Sequence, residues 1–447
     1  MQDLSLKFEK QSTLTTILKF SIPSSLGAII GMLCVLTDRY FIGQVAGREG
    51  MAAIALVFPY AMIINSFNFA FSGIAIIIGV KLGSKDREGA EKVLCTGFLW
   101  ILIVGVLLTI FLFLFNIPIL KILGASSSNI ASAIEYTNFL IPIATFQIIL
   151  GQSTLVRGIG DSVTAMGVNI FTGVFNVILD YLFIIKFDMG IGGAALATLI
   201  ATALSAFYIL FYFFKSDVIT FSKKYFSLDL KILKEIFKIG SPRFYNQLLQ
   251  SSVITVTNRQ AGVYGGDIAT AAIGIISICR SVMNTSLQGF NQGTAAIISY
   301  TFGSKNYERV KEVLKIQLYT VISVSTILVL LMLFNTEKIV SFFIKNDPPL
   351  VEFTVSAMRL NLFLMPFTAM FLACNNFFQS IKDSVIATRF FMLRIVILNI
   401  PLVYILGYFF KEIGVWLAFP ISDTLVAIVM FFLTIKKIRK ISPDNWV

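Results

Sequence analysis

Two carboxylates, Asp38 and Asp180, lie inside long apolar stretches of this 447-residue chain, and an amide, Asn176, stands one helical turn before the second. An acidic side chain in lipid is costly unless it is protonated, paired or turned toward a water-filled cavity, so such positions mark ion or proton pathways. A buried carboxylate can take up and release protons as its surroundings change. Asn176 and Asp180 share one helix face at a spacing of four residues. Together they offer amide and carboxylate oxygens, a donor set that suits a proton or a hard cation such as sodium. The competing reading is structural: a polar network joining helices, or an Asp38 neutralised by an arginine, although adjacent Arg39 points to another face. Histidine is absent, so a proton route would rely on carboxylates assisted by tyrosine or water.

Other residues bear on the same chemistry. Pro23, about four helical turns before Asp38, lacks an N–H and should bend its helix, which makes it a candidate gating element. The second half of the chain carries arginines in its apolar runs, Arg243, Arg259, Arg280, Arg359 and Arg394, with one late acid, Asp423, that is able to pair with one of them. Arg280 is a candidate for substrate contact or for a structural role, and several unpaired arginines in a cavity would favour anionic cargo. The four cysteines, Cys34, Cys95, Cys279 and Cys374, fall within apolar runs at unrelated spacing, which argues against disulfides or a zinc site. Gly190 to Gly193 and Gly265-Gly266 lack the lysine and strand context of a phosphate loop. No catalytic constellation is visible, so no enzyme activity and no cofactor are expected.

The elements that must position these residues follow from composition. With 57% hydrophobic and 13% charged residues and a mean hydropathy of +0.85, most of the chain has lipid as its solvent. Runs of about 20–30 residues are long enough to cross a hydrocarbon core of roughly 30 Å as helices. Twelve are expected, near 14–44, 52–81, 92–120, 129–156, 163–186, 191–214, 231–264, 269–301, 310–340, 349–380, 384–409 and 413–435. The first lacks a small-residue cleavage site and should be retained. The polar stretch 215–230 divides the chain into a lobe 1–214 and a lobe 231–447 that ends in a basic tail. Of 36 Lys and Arg, only Arg48, Lys121, Lys186, Lys338, Lys345 and Lys411 fall in the odd-numbered loops, so both termini are expected in the cytoplasm. The net charge of +12 is thereby read as topology and contact with anionic lipid headgroups, not as nucleic-acid binding.

The second six runs repeat the first six. Phe20-Ser21-Ile22-Pro23 returns as Ile239-Gly240-Ser241-Pro242, Gly73 as Gly293, Gly83-Ser84-Lys85 as Gly303-Ser304-Lys305, and Asp161-Ser162-Val163 as Asp383-Ser384-Val385. Glycines, prolines and charges in register are not a by-product of apolar composition. Six spans per half give the halves the same orientation, hence a pseudo-two-fold axis along the membrane normal with a cavity between them, the plan of an alternating-access carrier.

Specific stretches carry a family resemblance: Thr37-Asp38-Arg39-Tyr40-Phe41-Ile42-Gly43, Asn176-Val177-Ile178-Leu179-Asp180-Tyr181-Leu182-Phe183-Ile184, Gly190-Ile191-Gly192-Gly193-Ala194-Ala195, Asn291-Gln292-Gly293 and Tyr300-Thr301-Phe302-Gly303-Ser304-Lys305. In these the chain resembles the bacterial branch of the multidrug and toxic compound extrusion (MATE) family. Members usually carry proline where this chain has Tyr181, and another near Ala295 or Ala296. The resemblance implies an all-α, twelve-helix, two-lobe antiporter of the cytoplasmic membrane that exports amphipathic, usually cationic compounds in exchange for H+ or Na+. It carries ion coupling onto Asp38, Asn176 and Asp180 and adds Thr198. Partners are then small organic substrates and membrane lipids, with a monomer as the working unit. A flippase for lipid-linked saccharides, an exporter of anionic metabolites, and a channel or receptor independent of gradients are the alternative expectations.

Overall fold

The computed structural model of the chain describes residues 8, 11–122, 130–343 and 348–440. Among them the backbone is helical and forms no strand. In the first half, spans run over Thr13–Cys34, Tyr60–Gly83, Arg87–Leu114, the pair Ile130–Leu140 and Ile143–Gly158 bent by 48°, Ser162–Lys186 and Gly190–Lys215. In the second half, the helical stretch Leu230–Gly303 breaks at Gly266 (φ 61°) and supplies two passes. Tyr307–Phe334 and Pro348–Ser380 each supply one. Ile400–Lys440 breaks at Lys411 (φ 51°), so Ser384–Lys440 supplies the last two. Twelve spans result, numbered here in chain order.

Two boundaries differ from expectation. Helical hydrogen bonding runs from Thr13 to Phe71 across the turn expected between 44 and 52 that joins spans 1 and 2. A break not expected falls inside the second span, at Ser72, whose hydroxyl donates to the Phe69 carbonyl at 2.7 Å. The bend in the fourth span falls at Ile141 and Pro142, where the ring removes a backbone donor.

The repeat is legible in the turns. Span 2 ends in Lys85 (φ 62°) and span 8 in Lys305 (φ 59°). Three residues beyond each glycine, Asp86 caps Gly89 N–H at 2.8 Å and Asn306 caps Arg309 N–H at 3.1 Å. A side-chain oxygen at that position accepts a donor that the helix cannot satisfy. The 215–230 segment is held by Asp229 to Lys92 at 3.1 Å and by Glu88 to Lys224 at 3.2 Å, and Phe221 packs among Phe98, Phe213 and Phe226.

The lobes meet tightly on the side that carries this segment. A side chain at Gly83 would strike the Tyr300 carbonyl, one at Gly303 the Val80 carbonyl, and one at Gly79 the Ser299 side chain. Val80 and Tyr300, like Gly79 and Ser299, are themselves repeat partners 220 residues apart. The pseudo-two-fold axis therefore passes between spans 2 and 8 at Gly79 and Ser299. Around it Ser21 Oγ donates to the Phe290 carbonyl at 3.1 Å, while its repeat partner Gly240 lies against the carbonyl of Ala70. Arg309 completes the contact, its guanidinium donating to the carbonyls of Gln11 at 2.6 Å and Phe8 at 3.3 Å and to the Thr13 hydroxyl.

Candidate coupling site and interlobe cavity

The first-lobe candidates converge. Asn176, near the end of the Ser162–Asp180 helix, donates through Nδ2 to Asp180 Oδ1 at 3.5 Å and to Thr198 Oγ1 of span 6 at 3.3 Å. The Thr198 hydroxyl itself donates to the Ala194 carbonyl at 3.0 Å. Asp180 is fully buried, and its Oδ2 has no hydrogen-bond partner among the described residues. Asp38 lines one cavity with Asn176 and Thr198. Two carboxylates grouped around these side chains, one with a vacant oxygen, offer ligands to a shared cation. The Asn176 amide turns its nitrogen toward the cluster; a half-turn of the amide would present oxygen to a metal ion instead. No group of three or more His, Cys, Asp or Glu suited to a metal ion occurs among the described residues, so a sodium ion would draw on Asn176 and Thr198 oxygens beside the two acids.

Directly after Asp180 the helix widens to π geometry over Tyr181–Lys186. Such turns disturb the backbone locally and often accompany functional sites.

Pro23 is tied to the same helix. Its missing N–H orphans the carbonyl four residues back, at Lys19, and that carbonyl accepts from Ser162 Oγ at 3.1 Å. Ser162 opens the helix that ends in Asn176 and Asp180. In the second lobe the carbonyl orphaned by Pro242, Lys238, accepts from Ser241 Oγ at 2.9 Å, and Ser241 in turn meets Thr388 of span 11 at 3.0 Å. Each lobe thus links its proline-bearing helix to the start of its fifth helix.

Asn176 and Thr198 line two cavities. One, of about 290 Å³, holds Asp38 with Phe58, Met62 and Tyr136. The other, of about 360 Å³, runs between the lobes from Ser24 and Gly31 to Arg157, Arg243 and Gln292, and no lining residue is acidic. A smaller cavity of about 80 Å³ continues into the second lobe, where Arg243 stands among amides that include Asn246, Gln288, Asn375 and Gln379.

Arg280 lies outside these cavities. It donates to Asn361 Oδ1 at 3.1 Å and stacks over Phe419 at 4.4 Å, which gives it a packing role. Asp423, 1% exposed, pairs with Arg394 at 2.6 Å and 3.1 Å and accepts from the Thr368 hydroxyl at 2.6 Å.

This geometry can be set beside known proteins. The MatE family model matches residues 23–182 and 242–405, once in each half of the chain and over most of its length. The chain belongs to the MATE family of transporters. Among curated relatives, Multidrug export protein MepA of Staphylococcus saprophyticus is 26% identical over 94% of this chain and 93% of its own. MepA of Staphylococcus haemolyticus is 24% identical over 98% and 97%. A structure described as the outward-facing conformation of a multidrug resistance MATE family transporter of the MOP superfamily matches with a TM-score of 0.92 at 23% identity, over 99% of both chains. Where MATE sequences usually have proline after Asp180, this one has the π-helical turn.

Sequence reasoning did not single out Arg157, which follows the expected end of span 4 at 156 yet is 2% exposed. The helix runs on to Gly158 and carries it inward. The repeat held a signal: Arg157 stands four residues before Asp161, as Gln379 stands four before Asp383, and Arg243 follows Pro242 as Ser24 follows Pro23. Each lobe thus places a guanidinium where its counterpart has a neutral polar group.

Proposed function

We propose that this multi-pass protein of the cell membrane is a secondary antiporter that exports small amphipathic compounds in exchange for H+ or Na+, by alternating access. The observation that carries the reading is the Asp38, Asn176, Asp180 and Thr198 cluster, which borders both cavities through Asn176 and Thr198. Cation entry there can change the hydrogen bonding of span 5, which Ser162 ties to the Lys19 carbonyl left free by Pro23 of span 1. A gradient on the cation is thereby coupled to the helix that borders the cargo. Phe58, Met62 and Tyr136 around Asp38 suit the apolar and cationic parts of a drug-like molecule. Charge asymmetry favours cytoplasmic termini, and on that reading the closed lobe contact faces inward and the cavity opens outward. The export named for the MepA relatives agrees with that direction. On this reading a single chain is the working unit and the coupling ion is its only cofactor.

The test is efflux from proteoliposomes of matched cationic, neutral and anionic dyes under imposed proton or sodium gradients, for wild type and Asp38→Asn. Gradient-driven export that the variant loses supports the reading and names the ion. Dye flux that is equal with and without a gradient overturns it.

A further inference from the structure

The interlobe cavity holds a feature that cation coupling does not use. Arg157 is 2% exposed, donates through Nη2 to Gln292 Oε1 at 2.8 Å, and has a buried Nε with no acceptor among the described residues. Arg243 donates through Nη2 to Asn376 Oδ1 at 3.1 Å. Both guanidinium groups line the 360 Å³ space together with Gln292. Arg394, by contrast, has Asp423 at 2.6 Å, whereas no described carboxylate lies within 4.0 Å of Arg157 or Arg243. Two guanidinium charges of like sign, one of them withdrawn from water, are held by neutral amides alone. Such an arrangement is costly as architecture, and it is relieved by an anion whose oxygens meet the N–H fork of arginine.

We propose that Arg157 and Arg243 form an oxyanion site in the interlobe cavity, which binds the carboxylate, sulfonate or phosphate group of an amphipathic ligand. Gln292 and Asn376 fix the two guanidinium groups through single hydrogen bonds, and Asn176 and Thr198 line the same cavity, whose remaining space takes the rest of the molecule. The inference rests on the transport reading only in treating the cavity as the cargo's; it is read by binding, so failure of ion coupling would leave it standing.

The test is binding of fluorescein and rhodamine 123, anionic and cationic dyes built on the same xanthene core, to purified full-length protein in uncharged detergent, followed by fluorescence anisotropy. Fluorescein should bind saturably, and Arg157→Gln and Arg243→Gln should each weaken it at least tenfold while rhodamine 123 binding stays within twofold. Gln292→Glu sets a carboxylate beside Arg157; it should raise the melting temperature of the ligand-free protein and also weaken fluorescein at least tenfold, a pairing that a purely structural arginine does not produce. Displacement of the dye by benzoate or phenylphosphate identifies a soluble anion as the occupant. Displacement by phosphatidylglycerol alone identifies a lipid headgroup in the same site. The proposal is overturned if fluorescein binds wild type and both glutamine variants equally, if rhodamine 123 is lost in parallel, or if Gln292→Glu neither stabilises the protein nor disturbs the dye.

Discussion

At Asp180 a single oxygen, the buried and unpartnered Oδ2, separates a structural network from a site with work to do. A purely structural carboxylate would have its lone pairs filled, because an unsatisfied buried polar atom costs about 1–3 kcal/mol. Asp180→Asn should therefore abolish gradient-coupled efflux without lowering the melting temperature. Coupled efflux at the wild-type rate, measured in proteoliposomes, would remove Asp180 from the site. Arg394 makes the opposite case. Arg394→Gln strands Asp423 with only the Thr368 hydroxyl, and breaking a buried pair typically costs about 3–5 kcal/mol. A clear drop in thermal stability in detergent is expected, with partial recovery in the Arg394→Gln, Asp423→Asn double variant, where no charge is left alone. No drop in the single variant would mean that the pair is not a stabilising element.

Among the elements, spans 1 and 5 form one mechanical unit through the Lys19 carbonyl. Ser162→Ala leaves that carbonyl without its donor, at a cost of roughly 1–3 kcal/mol, and should slow efflux at constant expression. Ser162→Thr retains a hydroxyl and should recover most of the rate; failure of this rescue would break the proposed link between bend and coupling site. Spans 2 and 8 form another unit, because they touch through glycines. Gly303→Val drives methyl groups toward the Val80 carbonyl, and overpacking of this kind costs about 1–3 kcal/mol. That shifts a two-state balance by roughly five- to 150-fold, so transport should fall by at least that order while binding of dye from the open side persists. The cytoplasmic-side ion pairs matter less. Lys81 and the Gly89 N–H hold Asp86 below its ordinary range, so its contribution is present above the usual carboxylate range near pH ~3.9 and is lost as pH falls through the lowered native value. With an exposed carboxyl in water that contribution is small.

For the whole molecule, alternating access requires the closed contact around Gly79 and Ser299 to open in each cycle. Ser25 Oγ donates to the Ser286 carbonyl at 3.1 Å between spans 1 and 8 of the two lobes, which brings these positions together. With the four native cysteines replaced, Ser25→Cys combined with Ser286→Cys should stop efflux on oxidation and regain it on reduction. Efflux that continues through a complete cross-link would mean that this interface does not part during transport.

The residues differ in how openly the sequence announced them. The spans and the breaks near Gly266 and Lys411 were legible, because lipid forces backbone groups to bond within a helix; the caps at Asp86 and Asn306 went unread although their signal is local. Asp38, Asn176 and Asp180 stood out for a related reason: polar groups in apolar runs are conspicuous. Arg157 did not, since its depth depends on where a bent span ends. The partner of Asp423, the donor to the Lys19 carbonyl and the pairing of Arg157 with Gln292 join positions 29, 143 and 135 residues apart. The sequence by itself determined the helices, their number and their repetition, because those follow from local chemistry and a uniform solvent. Which polar groups meet, and which are left for an ion or an anion, was decided only by tertiary packing, because helices far apart in the chain must first close around one axis before any side chain has a partner.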